Sequence, residues 1–212
     1  EKYQCAGVAE QLAAEREEWT IDDVQRHCID PSQDSYSMWT IATAGCLSTI
    51  ASTKAHFYPL MGFELDTNAE CRAMQAMHYD LTKVKSSGDF RFTDPKNLRR
   101  PKLINSGLPC PDYTPLGSGL GSKGKRGGDC YVQQGRWLRL AGADVLILEQ
   151  TFFARNVDHG QGPGSDVKEL IAELSKDYVV YDKDIDTWRY GDVTSRVRLY
   201  IVAIHKRHGE KA

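Results

Sequence analysis

Long apolar runs are scarce in this 212-residue sequence. A helix that crosses a bilayer needs about 20 consecutive apolar residues. The longest runs here, "ADVLIL" and "LYIVAI", are strand-sized, so no membrane partner is expected. No secretory leader is expected either. An initiator Met is absent: the sequence opens at Glu1 and reads as a piece of a longer protein or an excised domain. Among six cysteines, at positions 5, 28, 46, 71, 110 and 130, no CxxC pair occurs, and "HKRH" near the C-terminal end has no cysteine beside it. No metal site is therefore expected. The cysteines are too widely spaced, in too long a chain, for a disulfide-stapled secreted scaffold. Each thiol is read singly, in a reducing compartment: intracellular, and the nucleus if the source is eukaryotic. Charge of one sign is absent too. Lys and Arg number 27 against 29 Asp and Glu, a net charge of -2. Binding to nucleic acid would have to come from a local patch rather than from the field of the whole chain.

What the sequence does contain is alternation. Residues 1–35 read as an N-terminal helical extension. Val8 and Leu12 stand at helical spacing in "VAEQLAAEREEW", and Thr20 with Asp23 forms a capping box before "IDDVQRHC". Residues 36–212 read as one α/β domain. The predicted strands are "SMWTIATAG", "HFYPLMGFELD", "FRFTD", "KLINSGL", "ADVLILEQ", "DYVVYDKDID" and "RLYIVAIH". The run "ADVLILEQ" predicts a strand buried on both faces. Three helices fall between them: "NAECRAMQAMHYDL"; "CYVQQGRWLRLAG", with Trp137, Leu138 and Leu140 inward; and "DVKELIAELSKD", with Val167, Leu170, Ile171 and Leu174 on one face. This order predicts a mostly parallel sheet, which binds ligands at the carboxyl ends of its strands. Gly45, Glu64, Asp89, Cys110 and Glu149 all fall at or near such ends. Turns also collect Gly and Asp for conformational reasons alone.

Gly45 ends the first strand and Glu64 the second, a glycine turn followed by an acid that can bind ribose hydroxyls. "TAGCLST" holds a single glycine, so close approach to a pyrophosphate is not supported. A cofactor without phosphates, S-adenosylmethionine, fits better; two ordinary turns are the plain alternative. "GLGSKGK" at 119–125 nearly matches a P-loop, but Arg126 stands where Ser or Thr must hold magnesium. Lys123, Lys125 and Arg126 read instead as point charges on a mobile loop that touches phosphates. Cys110 lies between Pro109 and Pro111, whose rings fix φ and push the residue before each toward extended backbone. That is either a thiol held still for attack or a small apolar residue at a turn. Glu149 closes an apolar strand, where a carboxylate is costly unless paired or protonated.

"GLPCPDYTPLGSGLGSKGKRGG" resembles the catalytic Pro-Cys segment of the DNA (cytosine-5) methyltransferases. "LILEQT" resembles their Glu-Asn-Val segment, and "YGDVTSRVRLYIVA" their Gln-x-Arg-x-Arg segment. "TAGCLS", "FELD" and "GDFRF" are similar, in order, to their cofactor segments. The resemblance runs from about Trp39 to Ala203. It implies a Rossmann-like S-adenosylmethionine-dependent fold and methyl transfer to carbon 5 of cytosine in DNA. It also implies a role for each matching residue. Cys110 would attack carbon 6, Glu149 would bond the ring nitrogen and amino group, and Arg196 and Arg198 would contact the extruded base. Thr43, Gly45, Glu64, Leu65, Asp89 and Pro109 would line the cofactor, with Glu64 on its ribose and Asp89 on its adenine amine.

This sequence departs from the family at several positions. Thr43 replaces a Phe, Leu47 and Ser48 replace glycines, Gln150 and Thr151 replace Asn-Val, and Thr194 replaces a Gln. The variable target-recognition region and the later Asn-containing cofactor segment are not visible in it. Two other readings therefore stand beside the first: the same chemistry on RNA, and a non-catalytic nucleic-acid-binding module of the same fold.

Overall fold

The computed structural model describes residues 37–41, 58–63, 85–86, 89–125, 128–191 and 193–209. Its strands are β1 (Ser37–Ile41), β2 (Tyr58–Phe63), β3 (Lys85–Ser86), β4 (Leu103–Gly107), β5 (Val145–Thr151), β6 (Tyr178–Asp186) and β7 (Val197–His205). They form one sheet in the order β3-β2-β1-β4-β5-β7-β6. β1 pairs in parallel with both β2 and β4, β2 with β3, and β4 with β5. β7 alone is reversed, pairing antiparallel with β5 on one side and β6 on the other. The sheet is thus mostly parallel, as the alternation predicts, with a hairpin closing one edge.

Two helices, α1 (Gly128–Ala141) and α2 (Ser165–Leu174), pack on one side of this sheet. Their apolar stripes supply Leu138, Val167, Leu170 and Leu174 to a core shared with Trp39, Ile41, Ile104, Leu146, Leu148, Leu199 and Ile201. Trp137 is wedged between Trp39 and Phe90, at ring-centroid distances of 5.7 and 5.4 Å. Its indole N–H donates to the Thr93 carbonyl at 2.8 Å, which satisfies the polar end of a buried ring.

Four details differ from the sequence pattern. "FRFTD" is not a strand but a 3-10 turn, Phe90–Phe92. The Asp89 carboxylate accepts the Arg91 amide at 2.9 Å, and Asp94 repeats the device on Lys96 at 3.0 Å with Pro95 leading the next turn. Side chains that capture amides two residues on outbid strand pairing. β3, two residues long, is too short to leave a period. β5 alternates rather than being buried throughout: Leu146, Leu148 and Gln150 are covered, while Val145, Ile147 and Glu149 are half-buried. Leu140 is also half-buried, because the stripe of α1 turns past it to Ala141. The extension over 1–35 and the helix expected in "NAECRAMQAMHYDL" lie outside the described residues.

This packing sets unequal costs within α1. Leu138→Ala removes a fully buried side chain and is expected to lower the unfolding free energy by about 2–5 kcal/mol. Leu140→Ala should cost less than half of that. Urea denaturation of the two variants measures the difference, and equal losses would contradict the assigned face.

Candidate active site

Parallel pairing of β4 with β5 brings the two candidate catalytic segments to one edge. Gly107, the last residue of β4, lies opposite Glu149. The buried Gln150 amide then donates to the Leu108 carbonyl at 3.4 Å and, through its oxygen, accepts the Thr151 amide at 2.9 Å. Gln150 therefore ties the start of the Pro-Cys segment to β5. In the sequence Gln150 is only a departure from the family; its signal there is a glutamine next to an otherwise apolar strand run.

Cys110 is half-buried, carries a free thiol and starts the 3-10 turn Pro111–Tyr113. Its backbone is not extended. At φ -100° and ψ -1° it occupies the bridge region, because its carbonyl accepts the Tyr113 amide at 2.9 Å and closes the turn. Cys130, at the start of α1, is 2% exposed, and burial pushes its thiol up to about 12 although Arg91 partly opposes the shift. Of the two described thiols, only Cys110 is accessible.

Glu149 does not end its strand, which continues through Thr151 against β7. Burial raises its pKa above the ordinary carboxyl value. The positive charges of Arg198 and Arg196, and a hydrogen bond from Arg198, offset this only in part. The reversal of β7 sets Tyr200 opposite Glu149 and Arg198 opposite Thr151. Arg198 reaches diagonally back, placing Nε 2.9 Å from Glu149 Oε1. Arg196 sits just before β7 with its side chain exposed. Its amide donates to Asp186 at 3.1 Å, and its guanidinium acts on Glu149 through charge alone.

The Gly-rich segment after Cys110 is not loose. Two buried carboxylates hold it. Asp112 accepts Ser118 Oγ at 2.7 Å and the Gly128 amide at 3.0 Å. Asp166, in the first turn of α2, accepts the Ser122 amide and hydroxyl, each at 2.7 Å, and the Tyr113 hydroxyl at 3.0 Å. His159 Nε2 lies 3.2 Å from the same carboxylate. The glycines permit this approach: a Cβ on Gly124 would lie 2.1 Å from the Asp112 carboxyl carbon, and one on Gly121, at φ +52°, 2.6 Å from Asp166 Oδ2. Lys123 and Lys125 are presented to solvent from this pinned segment. Arg126 lies outside the described residues.

Of the six residues expected at the cofactor, Asp89 and Pro109 are described; Thr43, Gly45, Glu64 and Leu65 lie outside the described residues. β1 and β2 end together, with Ile41 opposite Phe63, and Glu64 is the next residue in sequence. One residue before the end of β1, the buried Thr40 hydroxyl has no hydrogen-bond partner among the described residues, an opening for a polar ligand at this edge. Asp89 fits such a ligand less well. Both its oxygens are engaged by Arg91, through the amide at 2.9 Å and the guanidinium at 2.6–3.1 Å. A carboxylate has about four acceptor positions, and the amide, Nε and Nη2 hydrogens of Arg91 take most of them. Among the described residues no group of three or more His, Cys, Asp or Glu is arranged to hold a metal, and no helix is long and apolar enough to cross a membrane.

The model of the C-5 cytosine-specific DNA methylase family matches residues 44–211. The chain belongs to that family. No curated protein matches the sequence. Solved structures share the methylase fold, that of the Rossmann-like S-adenosylmethionine-dependent methyltransferases. A mutant of Spodoptera frugiperda DNMT2 is 13% identical with a TM-score of 0.62, over 84% of this chain and 52% of that one. A prophage-encoded candidate DNA modification methyltransferase of E. coli is 16% identical with a TM-score of 0.61, over 82% and 48%. Entamoeba histolytica methyltransferase EhMeth is 13% identical with a TM-score of 0.58, over 81% and 53%. This methylase-family chain thus spans about half the length of the structures it matches.

Two measurements check the site geometry. Arg198→Met removes the nearest cation from Glu149 and leaves burial less opposed, so the Glu149 pKa should rise further, read by carbon NMR of the labelled carboxyl. With a raised folded pKa, stability falls as pH climbs from the ordinary value of 4.5 through the folded one. The variant should deepen that fall; an unchanged titration would show that the pair does not form. Gly124→Ala should destabilise by about 1–3 kcal/mol in urea, since the Asp112 carboxylate must move. No loss would show that Asp112 does not hold the segment.

Proposed function

We propose that this chain carries the catalytic centre of an enzyme that methylates carbon 5 of cytosine in DNA, with Cys110 as nucleophile and Glu149 as its acid partner. One observation carries the reading. Glu149, a carboxyl whose hold on a proton burial strengthens, stands opposite the strand end that leads into the accessible thiol of Cys110. Family membership supports the reaction class.

The Cys110 thiolate adds to carbon 6 of the cytosine ring, forming a carbon–sulfur bond. The displaced electron pair collects at carbon 5. Cytosine accepts this addition once its ring nitrogen is protonated, and Glu149 is built to donate that proton. Arg198 occupies Oε1, which leaves Oε2 to carry the proton. S-adenosylmethionine, when bound, supplies an electrophilic methyl group for carbon 5. Solvent water then takes the carbon 5 proton. The electrons re-form the carbon 5–carbon 6 double bond as the carbon–sulfur bond breaks. The Cys110 thiolate leaves, and the ring nitrogen returns its proton to Glu149. Chemistry on a base buried in a duplex requires its extrusion, and the exposed Lys123 and Lys125 can hold the phosphates on either side. Glu64, Gly45, Thr43, Leu65 and Pro109 are the residues to hold the cofactor. Asp89 joins them with most of its acceptor positions already on Arg91. This reading puts the place of action inside the cell, and in the nucleus if the source is eukaryotic.

Transfer of a radiolabelled methyl group from S-adenosylmethionine to cytosine-containing DNA tests the proposal, with RNA of the same sequence as comparator. Wild type and Cys130→Ser should label DNA, while Cys110→Ser should label neither substrate. Labelling by Cys110→Ser, or a preference for RNA, would contradict it.

A further inference from the structure

The proposed chemistry uses the carboxyl ends of the parallel strands and leaves their other ends unused. Backbone bonds line those ends up. The Lys102 amide donates to the Ser37 carbonyl at 2.8 Å, the Asp144 amide to Lys102 at 3.0 Å, and the His205 amide to Asp144 at 2.9 Å. The starts of β1, β4 and β5 and the end of β7 therefore form one edge. Asp144 stands five residues before Glu149 in the sequence, about 17 Å along the strand from the candidate catalytic carboxyl.

Positive charge collects at this edge. Lys102 Nζ at 2.9 Å, Arg207 Nε at 2.8 Å and His208 Nε2 at 3.0 Å converge on the buried Asp144 carboxylate. These donors are enough to hold it. Arg100 Nη2 lies 3.9 Å away, beyond hydrogen-bond reach, on an exposed side chain. Counting only Arg100, Lys102 and Arg207, two positive charges are left over once Asp144 has neutralised one. Lys96 and Arg99, both exposed, extend the row along the loop before β4. The other acids here are engaged: Glu173 and Asp177 by Arg139, and Asp94 by the Lys96 amide. A chain of net charge -2 thus carries a local patch of the opposite sign, built from "RRPK" and the "HKRH" that no metal site absorbs.

The patch is charge without rings. Among the described residues, no large apolar side chain is exposed in 94–102, 142–144 or 205–208. Nothing there stacks on a base or buries an apolar anchor. Such a surface grips phosphates and reads no sequence. Duplex DNA offers about one negative charge per 1.7 Å of its axis, dense enough to meet several of these cations at once.

We infer that this edge is a second binding site for duplex DNA, held by its phosphates on Lys96, Arg99, Arg100 and His208 without regard to sequence. The duplex bound here is a different stretch from the one that presents cytosine to Cys110, because the two edges lie at opposite ends of the strands. One chain can then keep hold of DNA between target sites. The inference stands whether or not Cys110 and Glu149 have the roles proposed above.

Shielding of Lys96 from a water-soluble acetylating reagent, read by mass spectrometry of the wild-type chain, tests it. At low salt a short duplex should slow acetylation of Lys96 several-fold. A duplex of A·T pairs alone, which offers no cytosine, should shield it equally. Shielding should persist in Lys123→Gln with Lys125→Gln, which lacks the phosphate contacts of the catalytic edge. Replacing Lys96, Arg99 and Arg100 together by Gln leaves Lys102, Arg207 and His208 on Asp144. That variant should lower the slope of log affinity against log salt by about two to three. Lys96 acetylated as fast with duplex as without it overturns the inference, whatever the variants do. So does shielding that needs cytosine or Lys123 and Lys125, or a salt slope unchanged in the triple variant. Polyglutamate that shields Lys96 better than duplex at equal charge would also overturn it, by marking an acidic protein as the occupant. Shielding without methyl transfer would remove the proposed function and leave this site; transfer without shielding would do the reverse.

Discussion

β4 and β5 hydrogen-bond in parallel with Gly107 opposite Glu149, and the chemistry open to this chain depends on that register. A slip of one residue would turn Glu149 to the face covered by α1 and α2 and bring Leu148 to the other. Leu146 and Leu148 resist the slip because their burial against the helices holds the strand in place. Gln150 adds a lock one residue on, tying Leu108 to β5 from inside the sheet. β7 then completes the site from the opposite direction. An antiparallel strand beside β5 can send Arg198 diagonally back to Glu149, and its reversal carries the β6–β7 turn to the same edge.

A second constraint lies under the segment that follows Cys110. Asp112 and Asp166 are buried carboxylates, and each is made tolerable by several donors. Those donors come from the segment itself, through Ser118, Ser122, Tyr113 and the Gly128 amide. Asp166 also stands in the first turn of α2, where the helix dipole favours a negative charge. The loop and the core thereby stabilise each other. The glycines serve contact rather than looseness, since a side chain at 121 or 124 would displace a carboxylate from its donors.

Much of this is legible in the residues. Leu138, Leu170 and Leu174 announce their faces by spacing alone, and "ADVLIL" is apolar enough to name a strand without its neighbours. Cys110 and Glu149 stand out because each is chemically odd where it sits, a thiol between prolines and an acid closing an apolar run. Three of the differences share one cause. The 3-10 turn at Phe90, the bridge conformation of Cys110 and the pinned glycine segment are all set by amides that donate to a particular side-chain or carbonyl oxygen. Periodicity does not report such bonds. Asp112 and Asp166 are invisible to it for the same reason: an aspartate buried under a loop has the same letter as one in water. The reversal of β7 is likewise absent from its composition, because a nine-residue apolar strand reads the same in either direction.

The central claim is that the thiol of Cys110 forms a bond to cytosine. DNA with 5-fluorocytosine at the target position tests this directly, because fluorine at carbon 5 cannot leave as a proton does. After incubation with S-adenosylmethionine, denaturation and proteolysis, mass spectrometry identifies the peptide that carries the nucleotide. The account predicts a covalent adduct on Cys110, present in Cys130→Ser and absent in Cys110→Ser. An adduct on Cys130, or one that survives the loss of Cys110, would contradict it.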